Sequence, residues 1–205
     1  SYPLAHIVTA KFVDDLHSTD LHLAVSDTGW AKTAWGKLFG QWICGAAVLQ
    51  RNPIGGFNPK ITLGVIERFG VTTFCASPSV YRMLIQEDLS SYDLENLRFT
   101  LCAGEPLTSE IVKAWKEGTG LDLYEFYGQS ETVALLSNFR CKPIKYGSIG
   151  LPTPGHHMAV VAEEGKELPS FEEGLVALKV KPTRPPGLMI EYWKKPEAMA
   201  KTYLG

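Results

Sequence analysis

The 205-residue sequence has no surplus of either charge and no long apolar run. Its net charge of −2 comes from 20 Lys and Arg scattered among 22 Asp and Glu. That balance provides no electrostatic footprint for nucleic acid or an anionic membrane. The longest apolar run, Leu38 to Leu49, is interrupted by Gln41 and is too short to cross a bilayer. Cysteine is sparse: Cys44, Cys75, Cys102 and Cys141 lie far apart with no metal-ligand spacing. Three of them sit in apolar runs, which predicts buried reduced thiols of a cytosolic kind. There is no initiating Met and no charged-then-apolar leader, so targeting is unreadable and both ends read as cut.

What is present is alternation of strand and helix patterns. Leu4 to Leu16 reads as an amphipathic helix, in which His6, like His17 just beyond it, is a surface or packing residue. Asp20 to Ser26 reads as a short strand. Trp35, Leu38, Phe39, Trp42, Ile43 and Ala46 form one apolar stripe, predicting a core helix on a sheet, with Gly36 and Gly40 admitting a close neighbour. Asn58-Pro59 opens a helix carrying Ile61, Val65 and Phe69, and Gly70 ends it. Val71 to Ala76 is a buried strand, and Ser77-Pro78 starts the next helix as Asn58-Pro59 does. Leu97–Ala103 (strand), Thr108–Gly118 (helix) and Leu121–Phe126 (strand) continue the series. Short links between such units predict an α/β fold, a mostly parallel sheet covered by helices, over residues 1–140. From residue 141 to 205 prolines cluster and helical spacing stops, which predicts a small β-rich, barrel-like subdomain, truncated at its C-terminal end. There His157 to Ala162 and Gly174 to Lys181 are expected as antiparallel strands joined by a turn at Glu163 to Lys166.

In an open α/β sheet, ligands bind beyond the carboxyl ends of the strands. Four strand ends here carry candidate groups: Ser26 to Trp30, Cys75 to Pro78, Ala103 to Pro106, and Tyr127 to Glu131. The last turns at Gly128 and presents an amide, a hydroxyl and a carboxylate in succession. If the strands are parallel, all four meet on one rim. Taken singly, Gly104-Glu105-Pro106 is equally a plain strand-to-helix turn, and Glu131 equally a solvated carboxylate at a helix start. His156-His157 lacks a third ligand and is not read as a metal site.

Ala103-Gly104-Glu105-Pro106-Leu107 followed by Tyr127-Gly128-Gln129-Ser130-Glu131 resembles two core motifs of the adenylate-forming enzymes. These comprise acyl-CoA synthetases, firefly-type luciferases and the adenylation domains of peptide synthetases. Ser26 to Trp30 and Met189 to Glu197 resemble further segments of that superfamily, in the right order along essentially the whole chain. Within it the sequence is most similar to medium-chain acyl-CoA synthetases. The resemblance implies ATP-dependent activation of a carboxylic acid to an acyl-adenylate and then to acyl-CoA, with ATP, Mg²⁺ and CoA as cofactors and substrates. It implies an ATP site walled by Gly104, Glu105 and Pro106 on one side and by Glu125, Phe126, Tyr127, Gly128 and Gln129 on the other. Tyr127 would stack near the adenine, Ser130 would bond the α-phosphate and Glu131 would hold the metal.

For the acyl group the resemblance implies walls from Trp30, Lys32, Cys75, Ala76, Ser77 and Gly128. Acetate-specific relatives tend to carry tryptophan where Gly128 stands. Glycine is therefore expected to leave volume for a medium-chain, branched or aromatic acid. Lys32 is unusual in such a wall, pointing either outward or at a polar part of the acid. By the same resemblance, a phosphate-binding loop is expected before Ser1, and a ribose-binding aspartate, a hinge and a catalytic lysine after Gly205. No catalytic residue is expected within this fragment, which alone would be inactive. Location would be cytoplasmic, or an organelle matrix given a transit peptide. Two readings stay open beside this one: transfer to a carrier-protein thiol, and a non-catalytic nucleotide-binding or interaction module.

Overall fold

Residues 2–51 and 55–203 are described by a computed structural model. The chain opens with α1 (Tyr2–Val8), which widens into a π-helical turn at Thr9–Val13. It continues through β1 (Leu21–Ala24), α2 (Ala31–Lys37), α3 (Phe39–Cys44) and β2 (Ala47–Val48). Next come α4 (Pro59–Phe69), β3 (Thr73–Ala76), α5 (Pro78–Leu84), β4 (Phe99–Cys102), α6 (Ser109–Thr119) and β5 (Leu123–Gln129). Strands β6 (Val133–Ser137), β7 (Leu151–Pro152), β8 (Met158–Val161) and β9 (Leu175–Leu178) then follow without a helix, and α7 (Pro196–Ala200) comes last.

Seven strands form one sheet in the order β2-β1-β3-β4-β5-β6-β7. The first five run parallel, and β6 and β7 add antiparallel. The order 2-1-3-4-5 reverses direction between β1 and β3, the place where a doubly wound sheet opens a crevice. Side-chain alternation divides the core into two layers. Leu23, Phe74, Cys102 and Leu123 face α4, α5 and α6, meeting Leu63, Ile66, Tyr81, Leu84, Ile111 and Trp115. Ala24, Cys75, Leu101 and Phe126 face the other way, against Trp35 and Val13. With both faces covered, β3 and β4 are buried at every position rather than at alternate ones. All four cysteines are free; Cys75 and Cys102 are buried, Cys44 is half-buried and Cys141 is exposed.

Several sequence expectations change in detail. The stripe from Trp35 to Ala46 is not one helix. It breaks at Leu38 (φ −129°, ψ −89°), and beyond the break Trp42 is exposed. The cause lies in buried Gln41, whose amide donates to the Trp35 carbonyl and to Asp14 across the kink. The two glycines do admit close neighbours: a Cβ at Gly36 would lie 2.8 Å from Ala24, and one at Gly40 would lie 2.7 Å from the His6 carbonyl. In α4 the Asn58 side chain caps the Ile61 amide as expected. Its buried face, however, is Thr62, Leu63 and Ile66, whereas Ile61 and Phe69 face out. Ser77 precedes α5 but makes no side-chain cap bond, unlike Asn58.

The chain does not turn at Gly128. β5 continues through it with a bulge between Tyr127 and Gly128, and the reversal falls at 130–132, leading into a strand rather than a helix. The hairpin β8–β9 forms, but the turn at Glu163 to Lys166 returns the chain to Glu167 opposite Val161 instead of joining the two strands.

At the amino ends of the strands, Asp20, Thr72 and Arg98 immediately precede β1, β3 and β4 or stand one residue before them. Arg98 Nε donates to Asp20 Oδ1 at 2.9 Å, the Thr72 hydroxyl donates to the same oxygen at 2.7 Å, and the Asp15 carboxylate takes Arg98 Nη1 at 2.8 Å. Burial pushes the Asp20 carboxyl up, but Arg98, the His17 amide and Thr72 together outweigh it and hold it below its ordinary value. Replacing Arg98 by Met leaves a buried carboxylate without its cation and is expected to cost about 3 kcal/mol in urea unfolding. A loss under about 1 kcal/mol would show the network to be incidental.

His6 is fully buried among Tyr2, Trp35 and Phe39, with neither ring nitrogen hydrogen bonded. Burial lowers its pKa from 6.5 to about 4. Below pH 6.5 the unfolded chain therefore takes up a proton that the folded chain refuses, so stability is full above that pH and declines as pH falls towards 4. Asp14, pushed up by burial, has the opposite slope and is common to wild type and variant. His6→Phe is expected to lose less stability than wild type between about pH 6.5 and about pH 4.5, by on the order of 2 kcal/mol. Parallel pH profiles in chemical unfolding would contradict the neutral buried imidazole.

Candidate functional site

The carboxyl ends of β1, β3, β4 and β5 border one cavity of about 1250 Å³. β1 contributes Leu23 to Asp27, β3 contributes Ser77, β4 contributes Ala103, Gly104 and Glu105, and β5 contributes Gly128 and Gln129 followed by Ser130 and Glu131. Trp30, Lys32, Trp35 and Lys37 come from α2 and the turn before it. The turn is built by Asp27, whose side chain accepts from the Gly29 amide at 2.8 Å and whose carbonyl accepts from the Thr33 hydroxyl at 2.6 Å.

Strand-end carbonyls have no ladder partner, and two lysines take them up. Lys32 Nζ donates to the Ala103 carbonyl at 2.6 Å, and Lys37 Nζ donates to the Ser26 carbonyl at 2.7 Å. Lys32 thus turns into the cavity rather than outward, and it ties α2 to the end of β4. Burial lowers the Lys37 pKa, with the Asp27 charge opposing the shift. Across the rim, Glu105 takes the Ser79 hydroxyl, fixing the loop after β4 to the start of α5.

Of the expected site residues, the fold brings Trp30, Lys32, Ser77, Gly104, Glu105, Gly128, Gln129, Ser130 and Glu131 to the cavity. Pro106, Glu125, Phe126 and Tyr127 are not among its lining residues. Phe126 is buried against Trp35, at 5.9 Å between ring centroids. Glu125 is raised by burial, partly offset by the Leu107 amide, so it braces the loop after β4 from behind. Cys75 and Ala76 are buried within the sheet and do not reach the cavity, and burial pushes the Cys75 thiol up to about 12.

The volume expected beside Gly128 is not empty. A Cβ there would lie 2.2 Å from the Val133 carbonyl oxygen and 2.8 Å from the Trp35 ring. Glycine at 128 lets the bulged β5 lie against β6 and Trp35, and the space a side chain would need is already filled. Trp35, half of whose role sequence spacing hid inside a core stripe, is the wall at this point; its indole N–H donates to Tyr2 Oη at 3.0 Å. The signal for it was available, since Trp35 stands three residues after Lys32 on one helical face. Lys37 gave no comparable signal.

Glu131 is the carboxylate at the β5–β6 turn. Tyr192 Oη donates to its Oε1 at 2.8 Å. A carboxylate accepts at both oxygens, so a further coordination position remains. Among the described residues no group of three or more His, Cys, Asp or Glu forms a metal cage. The donor set suits a hard cation that keeps waters and is held by one carboxylate together with substrate phosphates, as Mg²⁺ commonly is. No helix among the described residues is long and apolar enough to cross a membrane.

The sequence and the fold are similar to those of known proteins. The sequence is 40% identical over 205 residues to the mitochondrial acyl-coenzyme A synthetase ACSM3 of Homo sapiens, covering all of this chain and 35% of that protein. It is 42% identical over 193 residues to 4-hydroxybutyrate–CoA ligase 1 of Metallosphaera sedula, covering 94% of this chain and 34% of that one. The chain therefore spans about a third of the length of these curated relatives. Among solved structures, the anthranilate CoA ligase AuaEII in complex with anthranoyl-AMP superposes with a TM-score of 0.88 at 31% identity, over 100% of this chain and 39% of that one. An acyl-CoA synthetase from Brucella canis gives 0.85 at 30% identity, over 95% and 36%. The family profile described as AMP-binding enzyme matches residues 4–193, and the chain belongs to that family.

Proposed function

We propose that the full-length protein carrying this chain is an AMP-forming acid–thiol ligase, which activates a carboxylic acid with ATP and passes the acyl group to CoA. The observation that carries this reading is the meeting of Gly104-Glu105 and Gly128 to Glu131 across one cavity at the topological reversal of the sheet. The relatives named above as CoA ligases and synthetases support it.

In this reading Gly104 and Glu105 form the adenine and ribose side and Gly128 and Gln129 the opposite side, while Pro106, Glu125, Phe126 and Tyr127 stand outside the cavity lining. Ser130 offers its hydroxyl to the α-phosphate. Glu131 holds Mg²⁺, which when bound neutralises phosphate charge. The substrate carboxylate attacks the α-phosphorus, the bond to the β-phosphate oxygen breaks, and pyrophosphate leaves with the electron pair. The thiol sulfur then attacks the acyl carbon and loses its proton to solvent, the bond from that carbon to the phosphate oxygen breaks, and AMP departs with the electron pair. Orientation and charge neutralisation account for most of the first step. That is why the residues from this chain are hydrogen-bond donors, acceptors and a metal ligand rather than a nucleophile.

A medium-chain, branched or aromatic acid remains the proposed substrate class. Its support is now the apolar lining from Phe57, Val65, Val80 and Trp35 rather than vacant space at Gly128. Residues 1–140 are proposed as the α/β part and 141–205 as a β-rich, barrel-like part, on the change from strand–helix units to hairpins. The proposed location is cytoplasmic, or an organelle matrix where a transit peptide precedes this sequence.

Pyrophosphate release by the full-length enzyme across acids of two to ten carbons, with branched and aromatic members, tests the reading. Turnover is expected to be acid-dependent and to favour acids larger than acetate. Glu131→Gln is expected to lower turnover by on the order of 100-fold at fixed Mg²⁺. Absence of acid-dependent release, or release with acetate alone, would contradict the proposal.

A further inference from the structure

Glu131 is gripped from outside its own hairpin. Besides the Tyr192 phenol on Oε1 at 2.8 Å, the Met189 amide donates to the Glu131 carbonyl at 2.6 Å. Tyr192 lies 61 residues further along the chain, so a strap over residues 187–192 returns to lie on the β5–β6 turn.

The turn needs an external hold. Val133, the first residue of β6, is fully buried with φ of 63°, a left-handed conformation that a β-branched side chain strongly resists. Such a conformation persists only where the surroundings over-determine it, and it concentrates at functional sites. Two contacts do so here. The Thr132 hydroxyl donates to the Val133 carbonyl at 2.9 Å and accepts from the Gln129 amide at 3.1 Å. Gly187 is buried so tightly that a Cβ on it would lie 3.1 Å from Val133 Cγ1 and 2.6 Å from Ala5 Cβ. The strap is thus seated on the strained residue at one end and hydrogen bonded to the carboxylate at the other.

We propose that residues 187–192 position the metal-binding carboxylate, with Tyr192 as the positioning residue that fixes the Glu131 side chain through Oε1 and leaves its other oxygen for the cation. The inference rests on Glu131 being the Mg²⁺ ligand. A glutamate at the tip of a hairpin turn otherwise samples several rotamers and must be ordered when the metal arrives. Removing a hydrogen bond that orients a metal ligand typically lowers metal affinity about 10- to 100-fold.

Tyr192→Phe removes a single oxygen from a half-buried ring. In the full-length enzyme, calorimetric titration of Mg²⁺ at fixed ATP is expected to show half-saturation raised on the order of 10-fold. ATP binding without Mg²⁺ and the thermal midpoint without ligand are expected to match wild type. Glu131→Gln, measured alongside, separates the two claims. If it raises half-saturation while Tyr192→Phe does not, the positioning role is overturned and the metal reading stands. If Glu131→Gln has no effect, the metal reading falls and the positioning role with it. A Tyr192→Phe protein that fails to fold, or that weakens metal-free ATP binding equally, would assign Tyr192 a structural part and overturn the proposal.

Discussion

Two ammonium-to-carbonyl hydrogen bonds hold the rim of this molecule together. Lys32 takes the Ala103 carbonyl and Lys37 the Ser26 carbonyl, so one short helix closes over the ends of β4 and β1, on either side of β3. Parallel strands end with unpaired carbonyls pointing the same way, and a cavity can persist there only if those groups are satisfied without being covered. A lysine reaching in from the side does this. The carbonyls are bonded, and the space beyond them stays open to a ligand. Trp35, from the same helix, supplies the apolar wall and fills the space beside Gly128.

The amino ends of the strands are fixed by different means. Asp20, Thr72 and Arg98 interlock the strand starts through buried charge-assisted bonds. The sheet is thereby pinned at its far end and free to present backbone groups at the near end. Strain collects at that near end, in Val133, and the strap from Gly187 to Tyr192 bears on it. Rigid elements with a few strained residues at the rim are what a site requires when it works by orientation rather than by a reactive side chain.

The βα repeats were legible because their signals are local. Asn58-Pro59 caps a helix, Gly70 ends it, and Val71 to Ala76 is apolar along its length. What failed to show in the sequence depended on contacts between distant segments. The break at Leu38 follows from Gln41 reaching Asp14 and the Trp35 carbonyl, which no apolar periodicity records. Gly128 read as a turn with space beside it because the bulge and Trp35 are invisible in one dimension. Cys75 and Ala76 stood at a strand end in sequence, yet side-chain alternation within the sheet keeps Cys75 in the core. Tyr192 lay within the segment Met189 to Glu197 that resembles the superfamily, but nothing in the sequence tied it to Glu131, 61 residues away. Gly104, Glu105 and Gly128 to Glu131 do reach the cavity, but the contacts that support them could not be read from the sequence.

The proposed function places an adenylate between the loop after β4 and the β5–β6 turn. Amide hydrogen exchange of the full-length enzyme, with and without a non-hydrolysable acyl-adenylate analogue, tests it directly. Protection is expected at residues 103–107 and 127–132, with none induced at the amino ends of the strands around Asp20 and Arg98. Protection that spared both rim segments, or that arose only elsewhere in the protein, would contradict it.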